Sequence, residues 1–382
     1  MRTPLSAIES LVDAIPSALA FDLQREISGY LDKCGLYYRI FARCKSGFST
    51  SAKMASKEYE KSGRKMQDLF GVRIALYFKD DIDICVSIIE QNLHILEKVQ
   101  DVVRDDEFRP VRLNLVCDLP EQISNMLDSQ IWNYPVDKTF EIQIRTIFSE
   151  GWHEVDHDLR YKNKQDWDGF ADLSRSFNGI LAVLETCDWG ILKIVDNLSY
   201  QKYKERDWES MFRSHFRLHL DNCKLDSKIK NLLDTNASLA KRLFRTNRRD
   251  LLLFLSNKSV QRFPKNINNI VYITNALTIQ DERLMEITPE ILRKQVENYH
   301  KSRWRESVSF LSTKGNEKPR NRNGFGVFSC FRNFSFVSNL LVTGPTHKLT
   351  HTGNKRVPGR KICPVAVHVT NFTLLVANGV DI

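Results

Sequence analysis

The segment Thr139-Phe-Glu-Ile-Gln-Ile-Arg-Thr-Ile147 alternates apolar and polar residues with a period of two. That is the pattern of a strand with one face on a core. Phe140, Ile142 and Ile144 make the apolar face, and Glu141, Gln143 and Arg145 share the other. A Glu, a Gln and an Arg in register are costly to bury without a partner or a purpose. The strand alone leaves two readings open. Glu141 and Arg145 form a cross-face ion pair on an exposed sheet, or Glu141 belongs to a functional site.

A second alternating run, Val72-Arg-Ile-Ala-Leu-Tyr-Phe78, follows Met66-Gln-Asp-Leu-Phe-Gly71. Asp68 lies just before this predicted strand and Arg73 within it. If the two strands are neighbours, Asp68 and Glu141 share a magnesium ion, which favours a few carboxylates completed by water and substrate phosphates. Arg112–Asp118 is also strand-like. Residues 1–33 read as helical with a break at Pro16. Residues 49–66 read as a basic surface helix, 80–94 as a helix, and His153–Tyr161 as the start of another. Leu173, Phe177, Ile180, Leu184, Cys187, Ile191, Val195 and Leu198 mark a long amphipathic helix. Residues 205–306 are helical in pattern. The expected class is α+β: a mixed β-sheet flanked by helices, followed by a mostly helical region. The expected division is a sheet-bearing domain over 1–200, a helical C-terminal region over 201–312 and a basic tail over 313–382.

The net charge of +9 sits mainly in that tail, where residues from 313 onward hold ten Lys/Arg against two Asp/Glu. The tail is rich in Asn, Gly, Thr, Arg and Phe and weak in periodicity, so it reads as disordered, as a small β element or as an extension outside the core. No apolar run approaches the roughly 18 residues of a membrane span, and the first 21 residues lack signal-peptide order. The eight cysteines form no CxxC pair and read as reduced thiols of a cytoplasmic protein.

Arg43-Cys-Lys-Ser-Gly-Phe-Ser49-Thr-Ser-Ala-Lys53 places three cations and several hydroxyls in eleven residues. If a helix starts near Ser49, then Ser49 and Lys53 share one face, and Arg43 and Lys45 reach the same anion from the preceding segment. Free amides at the helix start would favour phosphate there. The bland alternative is a solvated basic helix face. Further on, His153-Glu-Val-Asp-His157 fits the letters H-E-x-x-H. A zinc protease would use His153 and His157 as ligands and Glu154 as base. The pattern is short, and its surroundings are more polar than a zincin helix normally has.

Taken in order, these blocks resemble the synthetase domain of the RelA/SpoT alarmone synthetases, particularly the small single-domain members and their toxin-like relatives. Arg43, Lys45, Ser46, Ser49 and Lys53 match the family's R-x-K-S-x-x-S-x-x-x-K. Asp68-Leu-Phe-Gly71-Val-Arg73 matches D-L-x-G-V-R, and Glu141-Ile-Gln143-Ile-Arg145-Thr146 matches E-x-Q-I-R-T. The closing helix appears as Asp156-His157-Asp-Leu-Arg-Tyr161-Lys162. The resemblance implies a nucleotidyltransferase-like synthetase domain that moves the β,γ-pyrophosphate of ATP to a ribose 3′-hydroxyl. It implies that Arg43, Lys45, Ser49 and Lys53 hold ATP phosphates and that Arg73 stacks on adenine. Asp68 would bind Mg2+, and Glu141 would bind Mg2+ or act as the base. Gln143, Arg145 and His157 would order the acceptor. It implies a nucleotide acceptor (GDP or GTP, with ADP or ATP as alternatives), no membrane partner and a homo-oligomer.

The chain departs from the family in its acceptor loop. The G-Y-x-S-L-H pattern is replaced by Glu107-Phe108-Arg109-Pro110-Val111-Arg112-Leu113-Asn114-Leu115-Val116, which has no Gly-Tyr and no His. Phe108 is the candidate substitute for the stacking ring. No room for the family's hydrolase domain precedes Arg43, so degradation of the product is not expected. Two alternatives accompany the synthetase reading: pyrophosphorylation of the tRNA 3′ end, with the basic tail on phosphates, and a nucleotide-binding module with altered chemistry.

Overall fold

The computed structural model describes residues 5–101 and 111–314. Helices α1 (Leu5–Asp13) and α2 (Ala18–Cys34) are separated at Pro16, as the sequence predicts. Strand β1 (Tyr38–Cys44) follows, then α3 (Gly47–Ser56), the one-turn α4 (Tyr59–Ser62) and β2 (Phe70–Leu76). Helix α5 (Ile82–Asn92) leads to β3 (Ile95–Gln100) and β4 (Leu113–Asp118). After α6 (Glu121–Met126) come β5 (Thr139–Thr146), α7 (Ile147–Asp156) and the 35-residue α8 (Ala171–Glu205).

The strands form one sheet in the order β1-β2-β5-β4-β3. Only β2 and β5 run parallel; the other neighbours are antiparallel. The mixed, helix-flanked sheet is therefore as expected, and the two strands read most clearly in the sequence are its adjacent centre. Phe70, Val72, Ile74, Phe140, Ile142 and Ile144 are all at most 2% exposed. Their face is covered by α2, which packs on β1 and β2, and by α5, which packs on β5.

The helical reading of 49–66 needs correction. The helix ends at Ser56, where Glu58 and Gly63 take left-handed φ values of 45° and 66° and bracket the single turn of α4. The helix expected from His153 starts six residues earlier, because the Thr146 side chain accepts a hydrogen bond from Ser149 N and caps it. It continues as a π-helical turn over His157–Tyr161.

The expected helical region follows with α9 (Trp208–Phe216), α10 (Ser227–Thr235), α11 (Ala237–Phe244), α12 (Arg248–Ser256), α13 (Ile267–Thr274), α14 (Glu282–Glu286) and α15 (Glu290–Lys314). Residue 200 falls inside α8, so the helix is continuous across the boundary expected there. The helical region joins the sheet layer through charge. Arg217 makes a forked pair with Asp80, with distances of 3.1 and 2.5 Å. Arg248, 5% exposed, pairs with the fully buried Asp81. Helix α12 also packs against α2 and α5. No helix among the described residues is long and apolar enough to cross a membrane. The acceptor-loop residues 102–110, including Phe108, and the tail from 315 onward lie outside the described residues.

Candidate functional site

The pairing register arranges the face opposite α2 and α5 as a grid. Arg43, Gly71 and Glu141 stand side by side on β1, β2 and β5. Two residues along, Phe41, Arg73 and Gln143 form the next row, which Asn114 on β4 extends. Gly71 has no side chain, and a Cβ placed there would meet nothing within 4 Å. The gap between Arg43 and Glu141 is the floor of a cavity of about 100 Å³, walled also by Phe41, Lys45, Asp68, Arg73 and Gln143. Six of the ten residues singled out from the sequence therefore converge: Arg43, Lys45, Asp68, Arg73, Glu141 and Gln143. Lys53 reaches the same place through Asp68.

Asp68 is held by two lysines. Lys53 Nζ donates to its Oδ2 at 2.6 Å, and Lys45 Nζ lies 3.2 Å from the same atom. Burial alone would raise its pKa, but the two ammonium groups outweigh that and keep the carboxyl below its ordinary value. The other oxygen, Oδ1, is buried with no hydrogen-bond partner, and so is Gln143 Oε1 on the same wall. Glu141 is oriented on both sides. Asn114 Nδ2 donates to Oε1, and Gln143 Nε2 donates to Oε2 at 3.2 Å.

The cross-face pair of Glu141 with Arg145 is not formed. Arg145 Nη1 lies 2.7 Å from Glu150 Oε2, and Arg73 Nη1 lies 3.2 Å from Glu150 Oε1. Arg73 also pairs with Glu154. Glu150, 9% exposed, thus ties the two arginines together from the first turns of α7. Arg145 lines a second cavity, of about 430 Å³, bounded by Thr146, Leu184, Asp188 and Trp189 among others.

Besides Arg145, two expected site residues, Ser49 and His157, stay apart from the cleft. Ser49 accepts a hydrogen bond from Ser46 Oγ, and neither serine lines the cavity. The start of α3 is not an open phosphate cradle: Ser46 Oγ accepts from Ser49 N, and Gly47 N donates to Asp13 Oδ1 at 2.7 Å. Gly47 is required there because a Cβ would collide with the Glu9 carbonyl. His157 lies on the π-helical turn, where its Nδ1 is 2.9 Å from Asp158 Oδ1 and its ring stacks on Tyr161. The zinc-protease reading fails on geometry. Glu154 is bound to Arg73, and His153 is half-buried near Arg73 and Arg145. Burial first, and then those two cations, push His153 down to about 4. Among the described residues no cluster of three or more His, Cys, Asp or Glu could hold a metal.

Sequence reading missed Asn114, Glu150 and Phe41. Asn114 was visible as the polar residue between Leu113 and Leu115 on a predicted strand. Glu150 carried no signal, since its role depends on where α7 begins.

Residues 42–166 match the family model described as the region found in RelA / SpoT proteins. The GTP pyrophosphokinase YwaC of Bacillus subtilis is 29% identical over 131 residues, which cover 33% of this chain and 59% of that protein. The chain therefore matches less than two thirds of that relative's length. A solved GTP pyrophosphokinase family protein from Streptococcus pneumoniae is 20% identical, over 50% of this chain and 92% of the other, with a TM-score of 0.37. Small alarmone synthetase 2 from Bacillus subtilis is 24% identical over 47% and 93% of the two chains, also with a TM-score of 0.37.

Proposed function

We propose that this chain, which carries a RelA/SpoT-type region over residues 42–166, is an ATP-dependent pyrophosphokinase that acts on the ribose 3′-hydroxyl of a guanosine nucleotide. The observation that carries the reading is the pair of carboxylates, Asp68 and Glu141, on the walls of a cleft floored by Gly71 and edged by Arg43 and Lys45. The name of the Bacillus relative, a GTP pyrophosphokinase, supports the reaction class and the guanosine acceptor.

The residues suit a magnesium ion. Asp68 Oδ1 and Gln143 Oε1 are buried oxygens without partners, and magnesium takes hard oxygen ligands, one or two of them carboxylates, with phosphate oxygens completing the shell. Asp68 and Glu141 would hold it, and when bound it supplies charge neutralisation on the phosphoryl oxygens.

The protein's own groups do the rest. Arg43 and Lys45 grip the phosphates by fork and by point charge. Asp68 remains ionised under its two lysines and so stays a ligand rather than a proton donor. Glu141, with both oxygens fixed by Asn114 and Gln143, takes the proton of the attacking hydroxyl. Glu150 keeps Arg73 and Arg145 in place, so the cleft needs little reorganisation as charge develops. Leu173, Ile180, Val183, Ile194 and Leu198 on α8 are 49–67% exposed, and this apolar stripe supports a homo-oligomer.

The test is transfer of label from ATP carrying a labelled β-phosphate, with magnesium and GDP, GTP, ADP or tRNA in turn. Label on GDP or GTP supports the reading. Label on tRNA alone transfers the activity to RNA ends. No transfer to any acceptor, beside an active control synthetase, leaves a nucleotide-binding module.

A further inference from the structure

We propose that Phe41 is the base-stacking residue of the donor subsite, the side chain through which the cleft holds a purine rather than a polyphosphate alone. The inference rests on the donor reading above and adds a residue that the motif blocks do not contain.

Phe41 is 57% exposed, yet it lies in the middle of β1 and lines the cleft. It shares its face with Arg43 two residues on, as strand geometry requires, and its cross-strand partner is Arg73. The site therefore has two rows. The row of Arg43, Gly71 and Glu141 carries the charges suited to phosphates. The row of Phe41, Arg73 and Gln143 lies roughly 7 Å along the strands, two residues at the strand rise.

Arg73 cannot serve the phosphates as Arg43 can. Its Nη1 is held by both Glu150 and Glu154, which anchors the guanidinium on the α7 side and leaves its flat face to offer. An aromatic ring and a guanidinium plane on neighbouring strands suit a planar heterocycle. Stacking of this kind holds any purine well and discriminates weakly between them. Phe41 should therefore set affinity for the base while leaving the phosphate grip alone.

The test is calorimetric binding without acceptor, so that no transfer occurs. Wild-type protein and the Phe41→Ala and Phe41→Trp variants are titrated with Mg-ATP and with magnesium tripolyphosphate. The expected result is ATP affinity about ten- to a hundredfold weaker in Phe41→Ala, unchanged tripolyphosphate affinity, and recovery of ATP affinity in Phe41→Trp. Equal loss of both ligands would assign Phe41 to the fold or the phosphate grip and overturn the inference. Unchanged ATP affinity in Phe41→Ala would overturn it too, while leaving the transfer reading standing. Wild-type protein that bound neither ligand would overturn both readings together.

Discussion

Arg145 is bound to Glu150 at 2.7 Å, five residues along the chain, and not to Glu141, four residues back on its own strand face. The same carboxylate receives Arg73. Both side chains of the Arg145–Glu150 pair are at most 13% exposed, so removing one partner strands a buried charge. Glu150→Ala should destabilise the protein by about 3 kcal/mol, read as a lower urea midpoint at unchanged m-value. It should also weaken ATP and acceptor binding together, since it releases both arginines. Stability within about 0.5 kcal/mol of wild type would refute the bridging role.

Asn114 Nδ2 on β4 donates to Glu141 on the adjacent β5, and the proposed reaction makes that pair a test. Glu141→Gln should lower pyrophosphate transfer by about 10²–10⁴-fold with an unchanged melting temperature. Asn114→Ala should cost about tenfold in kcat, because one Glu141 oxygen loses its donor while the base itself remains. An Asn114→Ala rate equal to wild type would show that the hydrogen bond does not position Glu141.

Gly71 gives a test by filling. Its Cβ position is open, and β-branched residues favour strands, so Gly71→Val should fold as well as wild type. It should nevertheless abolish nucleotide binding, since the added methyl groups occupy the cleft floor. A folded Gly71→Val protein that still bound ATP normally would place the nucleotide elsewhere.

Two residues govern different pH windows. His153 has its pKa lowered from 6.5 to about 4. Between those values the unfolded chain binds a proton that the folded chain refuses, so stability falls as pH drops from 6.5 toward 4. His153→Gln should flatten that slope in urea titrations across the range. Asp68 has its pKa depressed below 3.8. Its contribution is complete above 3.8 and is lost as pH falls toward its folded value. Asp68→Asn should remove that loss while leaving the higher window unchanged. A His153→Gln slope identical to wild type would mean that this histidine is free to protonate.

The centre of the sheet was legible because β2 and β5 each have one face on a core and one polar face, which gives clean alternation. Strands β1 and β3 lie at the sheet edges, where partial exposure weakens the pattern, and both escaped notice. The acidic and basic members of the cleft could be picked out by type. Their partners could not, because pairing depends on register and on side-chain reach. Glu141 and Arg145 share a strand face, yet the start of α7 brings a better carboxylate to Arg145. Ser49 and His157 fit motif spacing and still lie off the cavity, since capping of α3 and the π-helical turn after α7 direct them elsewhere.

The pairs Asp80–Arg217 and Asp81–Arg248 bear on any attempt at dissection. The residues that match the family model stop at 166, but Asp81, without an exposed atom to hydrate it, is neutralised by a guanidinium from α12. An excised piece ending before α12 would keep every residue of the cleft and still carry a stranded acid, at a cost of about 3–5 kcal/mol. In this protein the recognisable part and the self-sufficient part are different lengths of chain. Grafting the former onto a foreign scaffold would require a substitute for Arg248.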